Sequence, residues 1–312
     1  MDTQKRIIGI HKGQMIGPLV IAIGGMHGNE PAGVRAIDML LHMLSVEPLK
    51  NPAFVFKGVL VGIKGNVRAF EKGIRYIVKD LNRQFLPAQI AAVRQTDPDH
   101  LMAEDAELRE LLDTVDDLIE QFTPKEVILI DLHTTTADGG IFSIATDDPR
   151  SIEIATFMHA PVITGMLNGL KGTTLHHFHS DNYSCPVHSV TFEAGQHDDP
   201  LSTRRAVAAL VNLLRSTGCV KPEDVENKHD DLLINYSRGL PRVARLRHVH
   251  PVGKTDQFTM LPGYVNFQPL RAGEVLATDK NGPIKAPYDC RILMPLYQPQ
   301  GEDGFFLISE NY

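Results

Sequence analysis

The stretch VIAIGGMHGNEPAG, residues 20–33, joins an apolar run to the start of a helix through a turn with two polar side chains. The apolar residues 19–23 predict a short buried strand, and Pro31 suits the first turn of a helix. His27 and Glu30 therefore lie on the turn between them. In an open α/β sheet, ligands bind at the turns that follow the carboxyl ends of strands. The stretch thus indicates both a fold class and one edge of a site.

Length, composition and charge indicate a globular protein without polyanionic partners. The chain has 312 residues, of which 43% are hydrophobic, and a domain typically takes about 100–200 residues. We therefore expect one to three domains. The formal net charge of −7 provides no electrostatic footprint for nucleic acid or an anionic membrane surface. We expect neither as a partner.

The amino terminus and the cysteines favour a cytoplasmic protein. The first residues, MDTQKRIIGIHKGQ, lack the apolar segment of a signal peptide, and no run approaches the roughly 18 apolar residues of a membrane span. Cys185, Cys219 and Cys290 are widely spaced and form neither a disulfide framework nor a CxxC pair. We expect reduced, structural cysteines, and nothing in the sequence excludes a homo-oligomer.

Strand-like and helical patterns alternate over about two thirds of the chain. Apolar residues recur at helical spacing in residues 32–45, 103–122 and 202–216, and strand-like runs such as EVILIDL and HSVTFEAG separate these segments. Alternation of this kind implies a mostly parallel sheet covered by helices on both faces. The sequence therefore predicts an α/β domain.

The pattern changes after Gly218. Residues 221–231, KPEDVENKHDD, form a polar bridge, and from Val243 onward short apolar runs alternate with turns such as RAGE and DKNG. We predict three parts: an α/β domain over residues 1–220, a linker over 221–242 and a smaller all-β domain over 243–312.

Polar side chains interrupt the ends of three predicted strands. His27 and Glu30 follow the first, His133 ends VILIDLH, and Glu193 lies near the end of VTFEA. A single histidine after a strand is more often a hydrogen-bonded structural residue than a ligand, but the coincidence of three strand ends favours a site. Two imidazoles and a carboxylate with an open fourth position are the ligand set of a catalytic zinc ion. Glu193 would then act as a base on the water bound to the metal.

Four elements together resemble a known family. They are GGMHGNEPAG, RYIVKDLNRQF, DLHTTT and FEAG, in this order, and they resemble the succinylglutamate desuccinylase and aspartoacylase family within the zinc carboxypeptidase superfamily. The match spans residues 19–197 and, more loosely, the β-rich tail. The resemblance implies a zinc-dependent amidohydrolase that removes an acyl group from an N-acyl amino acid or a related small amide. It also implies a three-layer α/β/α catalytic domain with the smaller β domain capping the site.

The resemblance also implies a role for each site residue. His27, Glu30 and His133 correspond to the ligands of one zinc ion per chain, Glu193 to the general base and Arg75 to the residue that polarises the scissile carbonyl. Asn82 and Arg83 correspond to the pair that holds the α-carboxylate of the substrate, and an arginine fork matches a carboxylate.

Each of these residues also has a structural alternative. The two arginines could be solvated or salt-bridged charges, and Asn82 could cap a turn. Asp131 lies two residues before His133, so both side chains point to one face of a strand, and it could orient that histidine. We interpret Asp80 as a supporting or structural group.

Two features bear on the substrate. Aspartoacylases have an arginine about ten residues before the base that binds the side-chain carboxylate of the substrate, whereas residues 182–193 contain none. We therefore expect N-acetylaspartate to be a poor substrate. His176, His177 and His179 could bind a second metal, but their polar neighbours favour a mobile loop over the site.

Two other functions remain open. A metallocarboxypeptidase acting on short peptides would use the same metal ligands, although the short segments between the motifs and a capping β domain favour a small substrate. The second alternative is a non-catalytic module that binds metal or carboxylate ligands, because a fold alone does not establish activity. Glu193 argues against the last, since a metal-binding module has no use for a base.

Overall fold

The computed structural model describes residues 6–310, so the outermost residues of the two predicted domains, 1–5 and 311–312, lie outside the described part. The strands are β1 (Ile7–Lys12), β2 (Met15–Gly24), β3 (Lys57–Lys64), β4 (Val127–Thr135), β5 (Phe142–Ala145), β6 (Val162–Thr164), β7 (Val187–Gln196), β8 (Val243–Pro251), β9 (Thr259–Met260), β10 (Pro269–Leu270), β11 (Val275–Asp279), β12 (Gly282–Lys285), β13 (Cys290–Leu293) and β14 (Asp303–Glu310). The helices are α1 (Pro31–Lys50), α2 (Val67–Lys72), α3 (Pro87–Gln95), α4 (Glu104–Phe122), α5 (Pro149–Phe157), α6 (Met166–Gly169), α7 (Thr174–His177), α8 (Leu201–Ser216) and α9 (Lys228–Tyr236).

Most strands belong to one large mixed sheet. Within residues 6–310, eleven strands pair in the order β1-β3-β2-β4-β7-β5-β6-β8-β14-β13-β10, and β12, β11 and β9 form a second, smaller sheet. Strands β3, β2, β4 and β7 run parallel to one another, whereas the smaller sheet is antiparallel. The predicted α/β fold with a mostly parallel sheet and a smaller β part is confirmed. No helix among the described residues has the length and apolar character needed to cross a membrane.

Alternation along the central strands sends side chains to two helical layers. On β2, Val20 and Ala22 pack with residues of α1 and α8 in one core, whereas Leu19, Ile21 and Ile23 pack with residues of α4 in another. Successive side chains on a strand point to opposite faces, so a strand buried on both faces is apolar throughout. The helices therefore cover both faces of the sheet.

The carboxyl-terminal part continues the large sheet. Strand β8 pairs in parallel with β6, and β14 pairs antiparallel with β8. Residues 221–242, predicted as a linker, include helix α9, whose Leu233 is fully buried in the core that contains α8. Apolar residues are sparse in this polar stretch, so the helix was not apparent from the sequence. The division into domains stays a prediction, and the sheet crosses the predicted boundary.

The register of the central strands determines where the predicted site residues lie. His133 of β4 is paired with Glu193 of β7, and the end of β2 at Gly24 is paired with Leu132. A Cβ atom on Gly24 would lie 2.6 Å from the backbone nitrogen of Val34, so the absence of a side chain lets α1 begin close against the strand ends. The turn with His27 and Glu30 therefore lies at the same edge as His133 and Glu193.

Candidate metal centre

His27, Glu30 and His133 form a buried cluster at this edge of the sheet. Nδ1 of His27 lies 2.8 Å from Oε1 of Glu30, and Nδ1 of His133 lies 3.1 Å from Oε2 of the same carboxylate. Donor atoms from the three residues all lie within 4.8 Å of one another. Two imidazoles and a carboxylate are donors that suit zinc. The cluster could therefore hold a metal ion.

The backbone around Glu30 holds its carboxylate between the two histidines. Glu30 immediately precedes α1, and its amide donates to the carbonyl oxygen of His27 at 3.1 Å. Its Oε2 accepts a hydrogen bond from the backbone amide of Thr134 at 2.9 Å. This contact connects the turn after β2 to the end of β4.

Each of the two histidines also contacts a second buried carboxylate. Nε2 of His27 lies 3.1 Å from Oδ1 of Asp80, and Nε2 of His133 lies 3.0 Å from Oδ2 of Asp131. An imidazole that donates Nε2–H to a carboxylate keeps Nδ1 available for a metal. Asp131 lies on the same face of β4 as His133, as expected, whereas the sequence did not indicate which residue Asp80 contacts.

Burial and charge act against each other in this cluster. Burial by itself raises the pKa of the Glu30 carboxyl, but the charges and hydrogen bonds of His27 and His133 hold it well below its usual range. Burial lowers the pKa of His133, but the neighbouring carboxylates of Asp131 and Glu30 raise it well above the ordinary value. The cluster is thus a desolvated group of carboxylates that is stabilised by positive charge.

Glu193 lines the same cavity as the cluster and is itself buried. Burial raises its pKa to about 8, with the carboxylates of Glu30 and Asp131 adding to the shift and His133 opposing it. Among the described residues, its Oε2 atom has no hydrogen-bond partner. Glu193 thus has a carboxyl oxygen that no protein group occupies.

Arg75 lines the cavity and is held by the same carboxylates that contact His27. Its Nη2 lies 2.9 Å from Oδ2 of Asp80, and its Nη1 lies 3.6 Å from Oε1 of Glu30. The solvated alternative is therefore wrong for Arg75, because its side chain is 13% exposed and ion-paired.

Glu104 of α4 holds the loop between Arg75 and Asp80, a role that was not apparent from the sequence. Its fully buried carboxylate accepts hydrogen bonds from the backbone amides of Ile77 and Val78 at 2.7 and 3.0 Å. It also accepts from Lys79 N and from Asn66 Nδ2, both at 3.2 Å. No local pattern relates a helical glutamate to amides 25 or more residues earlier, so no sequence signal could have found it.

Asn82 and Arg83 both line the cavity, and both already have protein partners. Oδ1 of Asn82 accepts from the backbone amide of Thr174 at 3.0 Å, and its Nδ2 lies 3.4 Å from Nε2 of His133. Nη2 of Arg83 donates to Oδ2 of Asp303 at 2.6 Å, and Nη1 donates to the carbonyl oxygen of Asn82 at 2.8 Å. No sequence pattern indicated Asp303.

The cavity that these residues line has a volume of about 110 Å³. Its walls come from both the strand ends and the carboxyl-terminal part of the chain. The latter contributes Met294, Leu296, Gln298, Gly301, Glu302, Asp303 and Phe306. Residues 294–306 thus lie beside the candidate metal centre.

Comparison with known proteins identifies the family of this chain. The family model of the succinylglutamate desuccinylase/aspartoacylase catalytic domain matches residues 16–215. The chain belongs to this family. A probable aspartoacylase from Nostoc sp. is 31% identical over 140 residues, which cover 45% of this chain and 43% of the relative. The match thus spans less than half the length of this curated relative.

Solved structures of other proteins have a similar fold. A succinylglutamate desuccinylase from Chromobacterium violaceum has a TM-score of 0.63 at 19% identity, covering 96% of this chain and 86% of its own. A product-bound ectoine utilization protein from Ruegeria pomeroyi has a TM-score of 0.62 at 17% identity, covering 96% and 87%. At these identities the likeness concerns the fold alone.

The three histidines of the histidine-rich segment do not line the candidate cavity, although the neighbouring Thr173 and Leu175 do, so the expectation that these histidines lie over the site differs from the structure. His176, His177 and His179 line a separate surface cavity. Nδ1 of His176 lies 2.8 Å from the hydroxyl of Thr173, and its Nε2 lies 3.1 Å from the carbonyl oxygen of Leu167. These contacts give His176 a local structural role.

Proposed function

We propose that this chain is a zinc-dependent amidohydrolase that removes an acyl group from an N-acyl amino acid or a related small amide. The observation that carries the proposal is the opening of the His27, Glu30 and His133 cluster into the cavity lined by Glu193 and Arg75. Relatives in the family are named aspartoacylase and succinylglutamate desuccinylase, which supports hydrolysis of acyl amino acids.

His27, Glu30 and His133 would hold the zinc ion. The donor set fits, because both imidazoles contact a further carboxylate through Nε2 and Glu30 accepts a backbone hydrogen bond. Such contacts orient metal ligands and raise their basicity. A zinc ion bound there would act as a Lewis acid that lowers the pKa of a coordinated water to about 7.

Glu193 would act as general base and then as general acid. Its Oε2 atom has no hydrogen-bond partner among residues 6–310, so a proton can be taken there from the attacking water. The same carboxyl can return the proton to the nitrogen of the leaving amine. Glu193 would thus move one proton from water to product during each turnover.

Arg75 would stabilise negative charge that develops on the oxygen of the scissile carbonyl. Its guanidinium is held at 2.9 Å by Asp80, so little reorganisation is needed when that charge appears. A preorganised cation in a site that excludes water is worth most at this point of a reaction.

An activity panel tests the proposal against its two alternatives. The zinc-loaded protein is incubated with N-acetyl, N-formyl and N-succinyl amino acids and with short peptides, and the released acid and amine are measured. Release of the acyl group supports the amidohydrolase. Release of carboxyl-terminal amino acids alone would support a metallocarboxypeptidase, and no turnover with zinc bound would support a non-catalytic module.

A further inference from the structure

Arg83, which the resemblance assigns to the α-carboxylate of a substrate, is occupied by a carboxylate of this chain. Its Nη2 donates to Oδ2 of Asp303 at 2.6 Å, and both side chains are 16% exposed. Asp303 is the first residue of β14 and lies 220 positions from Arg83. The internal carboxylate therefore neutralises the cation that would recognise a substrate carboxylate.

The charges beside this ion pair disfavour a further anion. Glu302 precedes Asp303 and also lines the cavity, with its side chain exposed. Near Arg83, two carboxylates from the carboxyl-terminal part thus face one guanidinium. A substrate carboxylate placed there would lie close to like charges and would have to displace Asp303, and both effects weaken binding.

One continuous part of the cavity wall is apolar, whereas threonines, His197 and Gln298 line other parts. Side chains from β5, from residues 167–175 and from the carboxyl-terminal part form the apolar part: Ile144, Leu167, Leu170, Leu175, Met294 and Phe306. All six belong to or pack against one apolar core cluster that these segments share. A wall supported by a packed core favours an apolar group on the ligand, since burying apolar surface is favourable and its position is preorganised.

We propose that Asp303 determines specificity by occupying Arg83, so that the preferred substrate is an N-acyl amine with an apolar side chain and no free carboxylate. An N-acylated amide of an apolar amino acid belongs to this chemical class. The inference rests on the proposed amidohydrolase function and names the class of substrate for the same site.

The test compares matched substrates in the wild type and in one variant. Acetate release is measured for N-acetylleucinamide, N-acetylleucine and N-acetylglycinamide with zinc-loaded protein. We expect the wild type to favour N-acetylleucinamide over each of the others by about tenfold or more in kcat/KM. In Asp303→Asn, Arg83 is free to donate to a carboxylate, and kcat/KM for N-acetylleucine should rise by about tenfold relative to that for the amide, the usual worth of a charge-assisted hydrogen bond.

A matched control separates this effect from a general change of charge. Asp289 is paired with Arg271 at 2.8 Å, is exposed and does not line the cavity. Asp289→Asn removes the same charge from the same part of the chain and should leave the acid-to-amide ratio unchanged. Thermal unfolding of both variants checks that they fold. If Asp303→Asn does not fold, the comparison of the three substrates in the wild type still tests the proposal.

Three results would overturn the proposal. Wild-type preference for N-acetylleucine over its amide would show that Arg83 binds a carboxylate despite Asp303, and an unchanged ratio in folded Asp303→Asn would show that Asp303 does not determine specificity. In both cases acetate is released and the proposed function stands. The third result is that the zinc-bound protein releases no acetate from any of the three substrates and does not hydrolyse the panel of acyl amino acids. This result would contradict the proposed function itself.

Discussion

Asp80 holds the imidazole of His27, with its Oδ1 atom 3.1 Å from Nε2. The other oxygen of the same carboxylate accepts a hydrogen bond from Arg75 at 2.9 Å. Burial alone raises the pKa of Asp80, but the charges of His27 and Arg75 hold it well below its usual range. One buried anion therefore positions both a proposed metal ligand and the proposed oxyanion-stabilising cation.

Asp80→Asn should weaken zinc binding by about 10–100-fold, the usual effect of removing a carboxylate that orients a ligand histidine. Competition with a chromophoric chelator measures the zinc Kd. Asp105→Asn is the control, because Asp105 pairs with Lys79 of the same loop at 2.7 Å and is 37% exposed. Equal zinc affinity in the wild type and in Asp80→Asn would show that Asp80 does not orient His27.

The purified protein should carry about one zinc ion per chain, because three protein ligands define one site. His133→Ala removes one of the three donors and should lose the metal, as measured by elemental analysis after dialysis. His248→Ala provides the control, since His248 is exposed on β8 and does not line the cavity. Tightly bound zinc at the wild-type level in His133→Ala would remove His133 from the proposed ligands.

Glu193→Gln should retain zinc while kcat falls by about 10²–10⁴, the usual contribution of a positioned general base. The amide keeps the size of the side chain but cannot take a proton. Steady-state kinetics and zinc content are measured together, with the exposed Glu120→Gln as control. Loss of zinc would make Glu193 a ligand, and an unchanged kcat would assign the base to another group.

Glu104→Gln should lower the free energy of unfolding by about 1–3 kcal/mol, because an amide nitrogen would face backbone donors at a fully buried position. Urea denaturation measures this free energy.

The contribution of Glu104 to stability should also depend on pH. Burial raises the pKa of Glu104, but the amides of Ile77 and Val78 lower it overall below the ordinary value of 4.5. A folded-state pKa below the unfolded one adds stability at neutral pH that is lost in acid. The difference between wild type and Glu104→Gln should therefore shrink as the pH falls below the ordinary glutamate pKa of 4.5. A difference that is constant with pH would contradict this role.

The chain should unfold in a single calorimetric transition. Strand β8 pairs with β6 across the predicted domain boundary, and Phe142 and Ile144 share an apolar core with Ala244 and Phe306. Elements that share a sheet and a core are expected to unfold together. Two separate transitions would instead support independent domains over residues 1–220 and 243–312.

Local pattern determined much of the candidate site. The strand, turn and helix around His27 and Glu30 follow from an apolar run, two glycines and Pro31, which need no distant contact. His133 and Glu193 were identifiable because each is a polar side chain near the end of an apolar, buried strand. The carboxyl ends of neighbouring parallel strands meet at one edge of the sheet, where ligands bind. The sequence by itself therefore determined the α/β class and the residues at that edge.

Only the tertiary structure decided which groups surround those residues. Asp80 meets His27 from 53 positions away, Glu104 meets the loop before it, and Asp303 meets Arg83 from 220 positions away. Periodicity reports which face of an element is buried, but it carries no information on which elements become neighbours. Strand order decides that, and here it placed the carboxyl-terminal strands on the same sheet beside β6. The carboxylate on Arg83, and with it the proposed specificity, follows from that placement and from no motif.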